Sequence, residues 1–391
     1  MAMKVTGRDN QVKRGLIGYP AFVEGLLARL TDEAITRAIP DEKLRKIKRV
    51  IVTGNGDSYA ASLATKEFGS RMFKNTDYHA LRCIDVSRHY VFPTEKPEET
   101  LVMVISVSGS GARVTEAMRR ATTKGCVTLA ITGNPESRMA REANHILRIE
   151  VDRPQIHSVA DQTKSYFTAV FTTIMLGLHA GLLFGAITLD EADAQRREIR
   201  RYVNAVCTEE VLTRVDDQMF ALADRWKDYL GYDFVGGGSD FATAYFGAAK
   251  FFELCGSLNC LNDSEDWCHI DYFQTNRDKL GTLAVASGNC ASFGRTVETI
   301  GSMQKSDRNV LVVTDVDRSE FIEGPSVCTL PAAAHDHINP LMNFIPIFML
   351  GNYIAIKRGY EYFGGMDAGN PLFSQEGGIN TIKSSTILYI D

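Results

Sequence analysis

The stretch 48-KRVIVTGNGDSYAAS-62 decides how this chain is read. Val50, Ile51 and Val52 form a short β-branched run, which reads as a buried strand. A glycine-rich turn follows, and from about Ser58 to Phe73 the pattern turns helical. The same alternation continues downstream. Strands are expected at 101-LVMVIS-106, 126-CVTLAIT-132 and 145-HILRIEV-151, with a helix from about Ala112 to Lys124. Buried strands joined by helices predict a parallel sheet flanked by helices, the doubly wound, flavodoxin-like α/β class.

The second half repeats the first. The segment 52-VTGNGDSYAAS-62 aligns with 235-VGGGSDFATA-244, pairing Gly54 with Gly236 at an offset of 182. VISVSG at 104 aligns with VASGNC at 285, pairing Ser106 with Ser287 at 181. LAITG at 129 aligns with LVVTD at 311, pairing Thr132 with Thr314 at 182. One shared offset across three matches predicts two copies of one domain, at 20–188 and 208–358. A charged helix within 189–207 joins them, and a Gly-rich tail occupies 359–391.

Bulk properties narrow the function. A chain of 391 residues favours two domains. Its net charge of −5, with no basic tract, argues against a nucleic-acid partner. The eight cysteines are scattered without a CxxC pair, which predicts buried thiols in a reducing, cytoplasmic setting. His335 and His337 form an H-x-H without further ligands nearby, so no metal or cofactor is expected. Residues 165–188 carry no charge and are long enough to span a bilayer. Their threonines, His179 and glycines, and the lack of a second such run, point instead to a helix buried between domains or subunits. The N-terminus has no apolar signal core.

Two loops, 54-GNGDSY-59 and 106-SVSGSG-111, fall where parallel sheets bind anions, at strand carboxyl ends and helix N-termini. A dinucleotide fingerprint fails, because its third glycine position is Tyr59 in the first copy and Phe241 in the second. No Walker G-K-[ST] follows either turn. Two readings of the serines stay open: a small phosphate held by hydroxyls and amides, or plain capping of the next helix.

The ordered set 54-GNGDSYAAS-62, 106-SVSGSGARVTEA-117 and 158-SVADQTKSYFT-168 resembles the signatures of the sugar isomerase (SIS) family. The resemblance runs from about residue 20 to 391 and is to tandem SIS proteins, in particular the isomerase half of glucosamine-6-phosphate synthase. It implies a phosphate site at Gly56, Asp57, Ser58, Ser106, Ser108 and Ser110, with Gln162 and Thr163 nearby. Asp57 replaces a small hydroxyl residue of the family pattern, and Gly111 replaces a threonine. In the second copy, 247-GAAKFFELCG-256 and 264-SEDWCHID-271 resemble the family's catalytic helix and loop. The tail 380-NTIKSST-386 resembles its C-terminal motif, with Ile379 at an arginine position. The catalytic set implied is Glu253, His269 and Lys383, with His269 donated across a homodimer interface.

Carbonyl transfer between C1 and C2 of a sugar phosphate needs ring opening, a proton shuttle and oxyanion stabilisation. Glu253, set among Phe251, Phe252, Leu254 and Cys255, suits a desolvated base. His269 suits ring opening near neutral pH, and Lys383 suits the oxyanion. Plainer readings stand beside these: a Lys250–Glu253 surface ion pair, a packed loop histidine, an exposed terminal lysine. No glutamine-hydrolysing segment precedes the first copy in this sequence. The expected function is therefore deglycation or isomerising deamination of a ketosamine 6-phosphate, as in the standalone fructosamine-6-phosphate deglycases. The alternatives are an aldose–ketose phosphosugar isomerase and a sugar-phosphate sensor without turnover. The expected partners are a small sugar phosphate and a second copy of the chain, with neither nucleic acid nor membrane.

Overall fold

The computed structural model describes residues 11–149, 159–360 and 381–388. It contains two five-stranded sheets, every strand pair parallel. The first comprises β1 (Arg49–Gly54), β2 (Asp77–Arg82), β3 (Thr100–Ile105), β4 (Val127–Thr132) and β5 (His145–Arg148), in the order β2-β1-β3-β4-β5. The second comprises β6 (Gly231–Gly236), β7 (Leu258–Asp263), β8 (Leu280–Ala286), β9 (Asn309–Thr314) and β10 (Ser326–Thr329), in the order β7-β6-β8-β9-β10. The two orders are the same once renumbered, and both are the flavodoxin-like arrangement. The duplication inferred from the offsets is thus a duplication of topology.

The central strands were legible because they are buried along their whole length. β3 and β4 expose none of their residues, so TLVMVI and VTLAIT carry no polar face. β2 (DYHALR) and β7 (LNCLND) lie at sheet edges, half-exposed, and offer no apolar run to read. The helix expected from about Ser58 to Phe73 is two helices, Asp57–Ala64 and Lys66–Met72. The break falls at Thr65, whose hydroxyl bonds the Ala61 carbonyl at 3.1 Å and competes with the helix ladder.

Among the described residues, one compact unit gathers 23–149, 161–197 and 381–388 around the first sheet. The other gathers 11–22, 159–160 and 198–360 around the second. The uncharged run lies in the helix Val159–Leu183. Its apolar stretch Thr163–Leu183 is 89% buried inside the fold. Phe68 and Met72 press on it so closely that Gly177 and Gly181 have no room for a side chain. It is a core helix of the first-sheet unit.

Candidate functional site

In the first sheet, β1 and β3 are neighbours in register, Gly54 beside Ile105, and the chain order reverses between them. Their carboxyl ends therefore open at the switch point where such sheets bind ligands. The loop after β1 turns at Gly56, whose φ of +52° is a left-handed value that suits glycine. Asp57 and Ser58 then open the next helix, both half-buried at the site edge.

The loop after β3 shows that its serines do not cap the next helix. The helix Ala112–Thr123 has Gly111 as its N-cap and no side-chain cap bond. Capping is therefore not their job. Ser106 Oγ accepts the Gly109 amide at 3.1 Å, and Ser108 Oγ accepts the Ser110 amide at 3.4 Å. Ser108 and Ser110 share a hydroxyl contact at 2.9 Å, with Ser108 exposed. The turn needs Gly109, which has φ +60° and would drive any side chain into Ser137. The result is a tight loop whose three hydroxyls are joined to one another or to the Gly109 and Ser110 amides. The structure thus brings Gly56, Asp57, Ser58, Ser106, Ser108 and Ser110 to the carboxyl ends of the neighbouring strands β1 and β3. Thr163 is buried on the Val159–Leu183 helix, and the Gln162 side chain lies outside the described residues.

The segment 381–388 packs on the same helix. The Ala112 amide, one of its free N-terminal donors, bonds the Ile382 carbonyl at 2.8 Å. Lys383 is exposed, and its carbonyl accepts from Arg138 at 3.1 Å. Ile382 Cγ2 lies 3.8 Å from where a Gly111 side chain would begin.

The second sheet repeats this geometry and fills it. Gly238 has φ +55° and ψ −127°, close to the +52° and −123° of Gly56. At the position of Ser58 (offset 182) stands Asp240, 1% exposed. Its carboxylate accepts from the Ser287 amide at 2.8 Å, the Ser287 hydroxyl at 2.6 Å and Asn343 at 3.3 Å. Burial pushes this acid up to about 6, against the pull of the Ser287 bonds. Ser287 is the repeat partner of Ser106. The second copy thus holds its own carboxylate on Ser287, whereas in the first copy the Ser106 amide donates to the Ile131 carbonyl at 3.0 Å. Sequence reading missed this residue, although the reversed dipeptides, Asp57-Ser58 and Ser239-Asp240, carried the signal.

The implied catalytic residues of the second copy are differently placed. Glu253 lies on the helix Ser239–Cys255, about a third exposed, with Oε2 2.6 Å from Lys250 Nζ. Lys250 is only 1% exposed, so the pair joins a buried ammonium to a half-open carboxylate and is no ordinary surface bridge. His269 ends the short helix Asp266–His269 with its side chain 68% exposed, 3.2 Å from Glu265. It is therefore not a packed loop histidine. Beneath it Trp267 is fully buried and donates to Asp233 at 3.4 Å. Asp233 also holds the buried Arg308 in an ion pair and accepts from Thr282 at 3.3 Å. The loop that presents His269 is thereby pinned to the sheet. His335 and His337 stack at 5.5 Å, and no three potential ligands cluster as a metal site among the described residues.

Known proteins share this architecture. Residues 43–178 match the SIS domain family. The chain is 27% identical to a glutamine–fructose-6-phosphate aminotransferase (isomerizing) of Halobacterium salinarum, over 84% of its own length and 52% of the relative. It spans about half the length of such curated relatives. The C-terminal domain of glucosamine-fructose-6-phosphate aminotransferase from Francisella tularensis superposes with a TM-score of 0.73 at 18% identity, covering 92% of this chain and all of that one. Tagatose-6-phosphate ketose/aldose isomerase from Escherichia coli gives 0.65 at 14% identity, covering 90% and 93%.

Proposed function

With residues 43–178 matching the SIS domain family and the same sheet order repeated in the second half, we propose that the chain is a tandem-SIS phosphosugar-processing enzyme. Its finer activity on this reading is deglycation or isomerising deamination of a ketosamine 6-phosphate. The observation that supports it is the 106–111 loop, whose serine hydroxyls cap no helix and cluster at a sheet switch point where parallel sheets bind ligands.

The chemistry assigned to the residues is as follows. The phosphate rests on Ser58, Ser106, Ser108 and Ser110, with Gln162 and Thr163 nearby. Glu253 removes the C1 proton of the open-chain ketosamine, leaving an enaminol. Lys383 is the cation suited to the developing O2 charge. Return of the proton to C2 gives the C1 imine. Water then adds at C1 and expels the amine, so the products are an aldose 6-phosphate and a free amine. His269 exchanges the ring-opening proton.

Exposure of His269 supports its donation to a partner copy, because among the described residues its ring pairs with Glu265 alone. Leu258, Ile270, Tyr272 and Phe273, exposed in the same part of the second-sheet unit, supply apolar surface for a homodimer. The eight unpaired thiols support a reducing, cytoplasmic setting.

The test is incubation with amino-acid-linked fructose 6-phosphates, following glucose 6-phosphate and amine by NMR. Glu253→Gln should abolish turnover and leave sugar-phosphate binding nearly intact. Wild-type activity in that variant would remove Glu253 from the mechanism. Interconversion of free fructose and glucose 6-phosphates, with no amine released, would favour the plain isomerase. Saturable binding without any product would favour a sensor.

A further inference from the structure

Beside the serine loops, on the first-sheet unit alone, lies a cleft of about 930 Å³. Asn55 of the β1 loop forms one wall, and Ile382, Ser385 and Thr386 form another. Arg88 and Arg113 enter it between Ile84 and Ile382. None of the phosphate-loop serines lines it, so it adjoins the phosphate site without being that site.

Chemistry that the assigned function does not use is concentrated here. Glu116, 1% exposed, sits under both arginines. Arg113 Nη1 meets its Oε1 at 2.6 Å, and Arg88 grips both oxygens through Nε and Nη2. Glu116 also accepts the Leu388 amide at 2.6 Å, and both arginines donate to the Thr386 carbonyl. Two guanidiniums share one carboxylate, so the cluster retains a positive charge. Arg88 Nη1 and Arg113 Nε make no bond within the described residues. Their planes are held rigid by a buried anion, and both side chains keep part of their surface in the cleft. Fixed guanidinium donors with spare N–H groups are the geometry that selects carboxylates. Ile84 and Ile382, both exposed, add apolar walls to the charged floor.

We propose that this cleft is a carboxylate subsite for the amino-acid portion of the substrate. The α-carboxylate rests on Arg88 and Arg113, and an apolar side chain lies against Ile84 and Ile382. The proposal rests on the ketosamine 6-phosphate reading and narrows it to amines that carry a carboxylate.

The experiment is calorimetric binding, without turnover, of three probes. These are fructose 6-phosphate, the leucine conjugate of fructose 6-phosphate, and the matching conjugate of 3-methylbutylamine, which is leucine without its carboxylate. The leucine conjugate should bind about tenfold or more tighter than the decarboxylated one, as expected for one charge-assisted contact. Arg88→Met should collapse that ratio toward one and leave the other two probes unchanged, and Arg88→Lys should restore part of it. Equal wild-type affinity for the two conjugates overturns the subsite while the phosphosugar reading stands. An equal loss for all three probes in Arg88→Met also overturns it, because the arginines would then hold the phosphate. Failure of every probe to bind wild-type protein removes the phosphosugar reading and the subsite together. The wild-type comparison decides the matter even if Arg88→Met does not fold.

Discussion

His179 sits in the core of the first-sheet unit with its side chain only 5% exposed, yet both ring nitrogens face carboxylates. Nδ1 lies 3.0 Å from Asp32 and Nε2 3.0 Å from Asp41. A neutral imidazole has one N–H, so only the imidazolium satisfies both contacts. Burial alone would lower its pKa, but the bonds to Asp32 and Asp41 outweigh burial and raise it above 6.5. The sign follows. This contribution is fully present below the unfolded value of 6.5 and is lost as pH rises through the higher folded value. On deprotonation one bond survives and the other becomes a lone pair facing a carboxylate. Asp32 keeps Arg196, at 2.9 and 2.8 Å, and Asp41 keeps Thr36 at 2.9 Å, so neither acid is stranded. The loss is therefore close to one charge-assisted bond, about 2 kcal/mol with partial solvent exposure of the acids. In a domain of this size that lowers Tm by about 4–8 °C. Thermal melts of wild type and His179→Gln from about pH 6 to about pH 9 measure it. The wild-type advantage should shrink as pH rises. A gap that stays constant across that range would refute the doubly bonded imidazolium.

Three further outcomes follow from the geometry. Ser108→Ala removes an exposed hydroxyl from the anion loop and should weaken binding of fructose 6-phosphate about tenfold by calorimetry, with little change in melting. Arg308→Met leaves Asp233 buried without its cation and should cost about 3–5 kcal/mol in urea unfolding, whereas a paired apolar replacement of both residues should recover most of that. Gly109→Ala meets a left-handed φ and the side chain of Ser137, so it should lose at least about 1 kcal/mol and disturb phosphate binding.

Much of this architecture was written in the sequence, for a physical reason. Strands buried on both faces carry β-branched runs with no polar interruption, so β1, β3 and β4 and the repeat linking them to β6, β8 and β9 were legible. Edge strands share their exposure with solvent, and DYHALR and LNCLND look like loops for that reason. The serine loops were visible as hydroxyls between a strand and a helix. Whether they cap or bind was not, because that depends on which atom reaches the first free amides of the helix. The tail supplies that atom through the Ile382 carbonyl. The cluster of Arg88, Arg113 and Glu116 escaped notice because Arg88 and Glu116 are 28 residues apart and the Leu388 amide 272 residues beyond Glu116. Asp240 was not legible because an acid at a strand end looks like a solvated loop residue, and only its burial against Ser287 marks it as a bound carboxylate.

Asp240 also makes the two domains unequal in their thermodynamics. A loop that must wait for a dissolved anion gains stability by mass action, about 2.7 kcal/mol when that anion stands 100-fold above its Kd. The second-sheet unit carries its counter-ion covalently, at an effective concentration no metabolite reaches. On the proposed function, its folded state would be indifferent to the phosphosugar pool, while that of the first-sheet unit would rise and fall with it. One duplicated fold would then hold a constitutive half beside a half whose stability depends on its ligand.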